Sequence, residues 1–135
     1  MIERTKMPAN KPRILIVEDS PAMRQLLVLA IRSIPDVVID EAPDGVAALR
    51  ALKAAQDKPY DLVFLDINMP VMDGIKLLGR LRDDPAAAKT VVAVVTTTEG
   101  GDTEAQARQL GAKYFVRKPI NRKVVEGILV EVFGR

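Results

Sequence analysis

Asp66 closes the apolar run V-F-L and opens the loop I-N-M-P-V-M-D-G. Asp is depleted in strands and poor to bury, so this carboxylate is either a polar strand stop or a group held for chemistry. Other polar residues stand just past apolar runs: Glu18 and Asp19 after R-I-L-I-V, Thr96 after T-V-V-A-V-V, and Lys118 soon after K-Y-F-V. Three carboxylates on one edge repel, and some hold a proton unless a cation sits among them. The set is all oxygen, which suits a hard cation, and few protein ligands plus water favours Mg²⁺ over Ca²⁺. A cation with spare water positions, a Lys ammonium and a Thr hydroxyl are what a phosphoryl group requires, because its transfer is catalysed largely by positioning and charge neutralisation. An Asp carboxylate can itself be the nucleophile and form an acyl phosphate.

These residues need a frame that brings them together. Arg13–Val17 is a short β-branched run; Ser20 and Pro21 then suit the cap and first turn of a helix. Met23, Leu26, Leu27, Ala30, Ile31 and Ile34 fall on one face of that helix, and Pro35 stops it. Val37–Ala42 reads as a second strand, and Asp44-Gly45 opens a second helix to about Gln56 with Val46, Leu49 and Leu52 inward. Asp61–Leu65 is a third strand, followed by a helix from Gly74 to Arg82 carrying Ile75, Leu78 and Leu81 on one side. Thr90–Val95 has the composition of a strand buried on both faces. Asp102 is expected to cap a fourth helix with a thin apolar face (Ala105, Ala107, Leu110), ended by Gly111. Lys113–Val116 is the fifth strand, and Asn121 caps a last helix with Val124, Val125, Ile128, Leu129 and Val132 inward.

Five βα units in a row argue an α/β fold, (βα)5, with a doubly wound parallel five-stranded sheet. In such a sheet all strand C-terminal ends share one edge, and ligands bind there. Strands 1, 3, 4 and 5 end in polar groups, whereas strand 2 ends in Ala42-Pro43. Strand 2 is therefore expected outside the site, matching the order 2-1-3-4-5 of flavodoxin-like proteins.

Composition narrows the field. A chain of 135 residues suits one core. Residues 1–12 are polar and read as a flexible N-terminal tail, with the domain over 13–135. His and Cys are absent, which removes imidazole catalysis, phosphohistidine carriage, thiolate chemistry and disulfides. No apolar run reaches the roughly 18–20 residues of a membrane span, and the expectation is a cytoplasmic protein with no membrane partner. A net charge of +2 is no nucleic-acid footprint without a basic stripe, and with no output domain read after Arg135, no nucleic-acid partner is expected.

The motifs I-L-I-V-E-D-S, L-V-F-L-D-I-N-M-P-V-M-D-G, V-V-T-T and V-R-K-P, in that order, resemble the response-regulator receiver domain of two-component signalling, particularly the single-domain chemotaxis type. Thr96 follows Asp66 by 30 residues and Lys118 follows Thr96 by 22, one βα unit each. The resemblance covers about Arg13–Phe133. It implies that Asp66 accepts a phosphoryl group from a sensor histidine kinase or histidine phosphotransfer protein. It implies Mg²⁺ held by Glu18, Asp19, Asp66 and the backbone carbonyl of Asn68. Lys118 and the Thr96 hydroxyl would contact the phosphoryl oxygens, and Lys118-Pro119 would be cis. Thr96 and Phe115 would form the switch that alters the face of helix 4, strand 5 and helix 5. Asn68 and Thr98 would tune self-hydrolysis, the only other chemistry of a signalling protein that is not a turnover enzyme. A monomer or a weak phosphorylation-dependent dimer is implied.

The chain departs from the family pattern in its Glu18-Asp19 pair, where Asp-Asp is commoner, in Phe115 for Tyr, and in Thr97 where Ala is frequent. One alternative is a degenerate receiver, a phosphorylation-independent interaction module, against which stands the presence of every required residue type. A haloacid-dehalogenase-like phosphatase needs a second Asp two residues after the nucleophile, where Asn68 stands, and its acidic pair follows the nucleophile. An FMN-binding flavodoxin needs a phosphate loop after strand 1, where E-D-S-P repels phosphate.

Overall fold

The structure, a computed structural model, describes residues 11–68, 74–97 and 101–134. Five strands alternate with five helices: β1 Arg13–Val17, α1 Pro21–Ile31, β2 Val38–Ala42, α2 Gly45–Ala54, β3 Leu62–Asp66, α3 Gly74–Asp83, β4 Val91–Thr96, α4 Gly101–Gln109, β5 Tyr114–Arg117 and α5 Arg122–Phe133. The sheet is parallel throughout, in the order β2-β1-β3-β4-β5. Pairing reaches past the start of β1, because the Pro12 carbonyl accepts from the Val38 N–H at 2.8 Å.

Side chains alternate across the central strands and feed two cores. Ile14, Ile16, Leu62, Phe64, Ala93 and Val95 pack toward α1 and α5. Leu15, Val17, Val63, Leu65, Val92 and Val94 pack with residues of α2, α3 and α4 on the other face. All eight of these β1 and β3 positions are apolar because a parallel sheet covered on both sides leaves its central strands no solvent face.

Local chemistry starts and stops the helices as the sequence suggests. The Ser20 hydroxyl accepts from the Met23 N–H, and Pro21 occupies the first turn. Asp44 and Asn121 cap α2 and α5 in the same way. Past α4, Gly111 has φ +100°, its N–H bonds the Arg108 carbonyl, and the Ala112 N–H bonds the Ala107 carbonyl. This paired closure needs a left-handed residue, hence glycine.

Several expectations are corrected. Leu26, Val46 and Val124, read as inward, are exposed. The buried stripes run instead through Leu27, Val28, Ala30 and Ile31 on α1, Gly45 and Ala48 on α2, and Val125, Ile128 and Leu129 on α5. Each misread residue lies at one margin of its apolar arc, and the sheet covers the other margin. α4 begins at Gly101, so Asp102 lies inside its first turn rather than at its cap. The apolar face of α4 is thinner than expected: Ala107 is buried and Leu110, beyond the helix end, is half-buried, but Ala105 is exposed. The second to fifth strands each begin one residue later than expected, α1 stops at Ile31, before Ile34 and Pro35, and α2 stops at Ala54. Among the described residues no helix is long and apolar enough to cross a membrane.

Candidate functional site

The strand ends deliver their polar residues to one edge. Asp66 is the last residue of β3, aligned with Val95, and Thr96 is the last of β4, aligned with Arg117. Glu18 and Asp19 follow β1, and Lys118 follows β5, its N–H bonded to the Thr96 carbonyl at 3.0 Å. The Lys118-Pro119 peptide is cis. Gly74 allows α3 to start against this edge. A Cβ there would lie 2.4 Å from the Ile67 Cα and 2.7 Å from the Asp66 carbonyl oxygen, with no flexible side chain able to yield that space.

Glu18 and Asp66 are buried, whereas Asp19 is exposed. One carboxylate oxygen from each of the three lies within 4.8 Å of the others. Lys118 Nζ stands 3.1 Å from Glu18 Oε1 and 3.3 Å from Asp66 Oδ2. Asp66 Oδ1 accepts the Asn68 N–H at 2.8 Å, and Glu18 Oε2 accepts the Ser20 N–H at 3.1 Å. Burial pushes the Glu18 pKa up to about 7; the Ser20 N–H opposes the rise, Asp66 adds to it and Lys118 counters it. For Lys118 burial works downward, but the hydrogen bonds and charges of Glu18 and Asp66 outweigh it and raise its pKa.

One ammonium does not balance three carboxylates. Glu18 Oε1, although close to Lys118, is buried without a hydrogen bond of acceptable geometry among the described residues. A buried carboxylate oxygen that meets an ammonium but lacks a hydrogen bond, in an all-oxygen cluster, fits a hard divalent cation.

Thr96 is buried, and its hydroxyl donates to Asn68 Oδ1 at 3.0 Å. The Thr97 N–H donates to the same oxygen at 3.1 Å. Glu18, Asp19, Asp66, Asn68, Thr96 and Lys118 thus share one edge. Phe115 stands apart on β5, aligned with Val94, half-buried, with the Arg108 guanidinium 4.5 Å from its ring centroid. Thr98 lies outside the described residues.

Sequence reasoning missed two supports. Arg24 donates to the Glu18 carbonyl at 2.9 Å and pairs with Glu41 at 3.3 Å, tying α1 to the ends of β1 and β2. Its place four residues after the Ser20 cap puts it one turn into α1 above that edge, a signal present in the spacing. The Asn68 side-chain bonds had no such signal, since they depend on its rotamer.

An order β2-β1-β3-β4-β5 with an acidic edge, a strand-end Asp and a facing Lys defines a class of α/β domain that binds at its switch point. The chain belongs to the response regulator receiver domain family, whose model matches residues 14–129. It is similar to the probable chemotaxis protein CheY of Rhizobium etli, 32% identical over 126 residues, 93% of this chain and 95% of that protein. It is also 40% identical over 108 residues to the protein-glutamate methylesterase/protein-glutamine glutaminase of Desulfotalea psychrophila, covering 79% of this chain but only 29% of that protein. Among solved structures, the Mn²⁺-bound form of response regulator Rcp1 has TM-score 0.78 at 28% identity, covering 88% of this chain and 92% of the other. The phosphorylated cyanobacterial phytochrome response regulator RcpA has TM-score 0.82 at 25% identity, covering 90% and 93%.

Proposed function

We propose that this receiver domain is a phosphorylation-activated switch in which Asp66 accepts a phosphoryl group from a phosphohistidine of a sensor kinase or histidine phosphotransfer protein. The observation that carries this reading is Asp66 itself: a buried strand-end carboxylate with Lys118 Nζ 3.3 Å from Oδ2, beside the converging carboxylates of Glu18 and Asp19.

An Asp66 carboxylate oxygen forms the new P–O bond as the donor P–N bond breaks, and the imidazole leaves with a proton. Lys118 meets the charge that gathers on the transferred phosphoryl oxygens. Glu18, Asp19, Asp66 and the Asn68 backbone carbonyl would hold Mg²⁺, which when bound supplies further neutralisation of phosphoryl charge. The buried Glu18 Oε1, which lacks a hydrogen bond, and the Mn²⁺-bound relative support that assignment. The Thr96 hydroxyl turns toward the new phosphoryl group, and Phe115 follows inward. The face of α4, β5 and α5 then changes its affinity for a protein target, added charge biasing a two-state element. Among the described residues α4 buries only Ala107, which is consistent with an element that moves at low cost.

Incubation with acetyl phosphate in the presence and absence of Mg²⁺, followed by intact mass, tests the reading. One added phosphoryl group that requires Mg²⁺ is expected. No addition to the wild-type chain would refute it.

A further inference from the structure

Two donors converge on one oxygen beside Asp66. The Thr96 hydroxyl and the Thr97 N–H lie 3.0 and 3.1 Å from Asn68 Oδ1, and the Thr97 hydroxyl lies at 3.4 Å, long for a hydroxyl donor. A backbone N–H can only donate, so the Asn68 atom facing Thr97 must be the carboxamide oxygen and not the nitrogen. The Asn68 N–H is bonded to Asp66 Oδ1 at 2.8 Å. The donor pair is therefore anchored within one short segment of the acceptor carboxylate.

Convergent donors of this kind suit an oxygen that carries negative charge. A phosphoryl oxygen on Asp66 needs such donors, and in the unmodified chain they are already engaged. We propose that the Asn68 carboxamide oxygen is an internal stand-in for a phosphoryl oxygen, holding the Thr96 hydroxyl and the Thr97 N–H until the phosphoryl group displaces it. This rests on Asp66 being the phosphoryl acceptor and adds to that reading a positioning residue that sets how readily the switch engages. Asn68 is exposed, so its side chain can swing into solvent without vacating a core position. The Thr96 hydroxyl has one proton to donate and cannot give it to a new acceptor without releasing Asn68 Oδ1. The off state is then held by a competition for shared donors, and phosphorylation must win it.

Beryllofluoride with Mg²⁺, a stable mimic of the phosphoryl group, measures that competition. Asn68→Ala removes the stand-in and leaves the backbone carbonyl and N–H in place. Its affinity for beryllofluoride should rise by about threefold to tenfold, the equilibrium worth of about one net hydrogen bond. Asn68→Asp keeps an acceptor oxygen and adds charge, so it should bind more weakly than wild type. In a Thr96→Ala background the gain from Asn68→Ala should shrink, because one contested donor is gone. Equal or weaker binding by Asn68→Ala would overturn the proposal, as would a gain of undiminished size in the Thr96→Ala background. The underlying reading fails differently: wild type would then show no Mg²⁺-dependent beryllofluoride binding, or Asp66→Ala would bind as well as wild type.

Discussion

Glu18→Gln should change how stability depends on pH, and by a predictable amount. Glu18 is wholly buried, and its pKa is raised from 4.5 to about 7, chiefly by burial. The folded chain therefore binds more protons than the unfolded chain between these values. Stability contributed by the protonated carboxyl is fully present below about pH 4.5 and is lost as pH rises through about 7. A shift of this size corresponds to about 3 kcal/mol, at about 1.4 kcal/mol per pKa unit. A glutamine keeps the shape and an acceptor oxygen but has no proton to lose. Urea unfolding of both proteins across this range, without divalent ions, reads the effect, because titrating groups that do not touch Glu18 are shared and cancel in the difference. The wild type should lose about 3 kcal/mol relative to the variant on going from acid to mildly alkaline solution. Saturating Mg²⁺ should recover part of that loss in the wild type, since an ion that binds only the folded carboxylates stabilises them. Stability curves that run parallel over the whole range would refute the reasoning.

Asp19→Ala should leave the thermal midpoint almost unchanged, because Asp19 is exposed, yet abolish measurable Mg²⁺ binding by titration. Gly74→Ala should cost about 1–3 kcal/mol or more in urea unfolding, since the added methyl meets the Ile67 backbone and the Asp66 carbonyl. It should also slow phosphorylation from acetyl phosphate by moving Asp66. Phe115→Ala should gain a phosphoryl group at the wild-type rate, read by intact mass, while a captured target protein no longer distinguishes the modified from the unmodified form.

How much of this was legible before the structure follows from which physics each feature obeys. Asp66, Thr96 and Lys118 could be brought together on paper because a parallel sheet sends every strand end to one edge, whatever the packing details. The caps at Ser20, Asp44 and Asn121 were legible because they are local. Leu26, Val46 and Val124 were misplaced because an apolar arc has two margins, and only tertiary packing decides which is covered. The sequence pattern also did not separate Glu18 from Asp19. One is wholly buried beside Lys118 and the other exposed, a difference set by where the chain leaves β1. Arg24 pinning the Glu18 carbonyl was open to a reading of the helix spacing, whereas Asn68 collecting the donors of Thr96 and Thr97 depends on long-range geometry that no residue spacing encodes.

The identity of the modified residue is the most direct test. The wild-type chain would be treated with acetyl phosphate and Mg²⁺, reduced with borohydride, which converts an aspartyl phosphate to homoserine, and digested for peptide sequencing by mass spectrometry. Homoserine should appear at position 66, in the peptide carrying Phe64–Asn68, and should vanish when Mg²⁺ is withheld. Homoserine at another aspartate with Asp66 intact, or no conversion anywhere, would contradict the assignment of Asp66 as the phosphoryl acceptor.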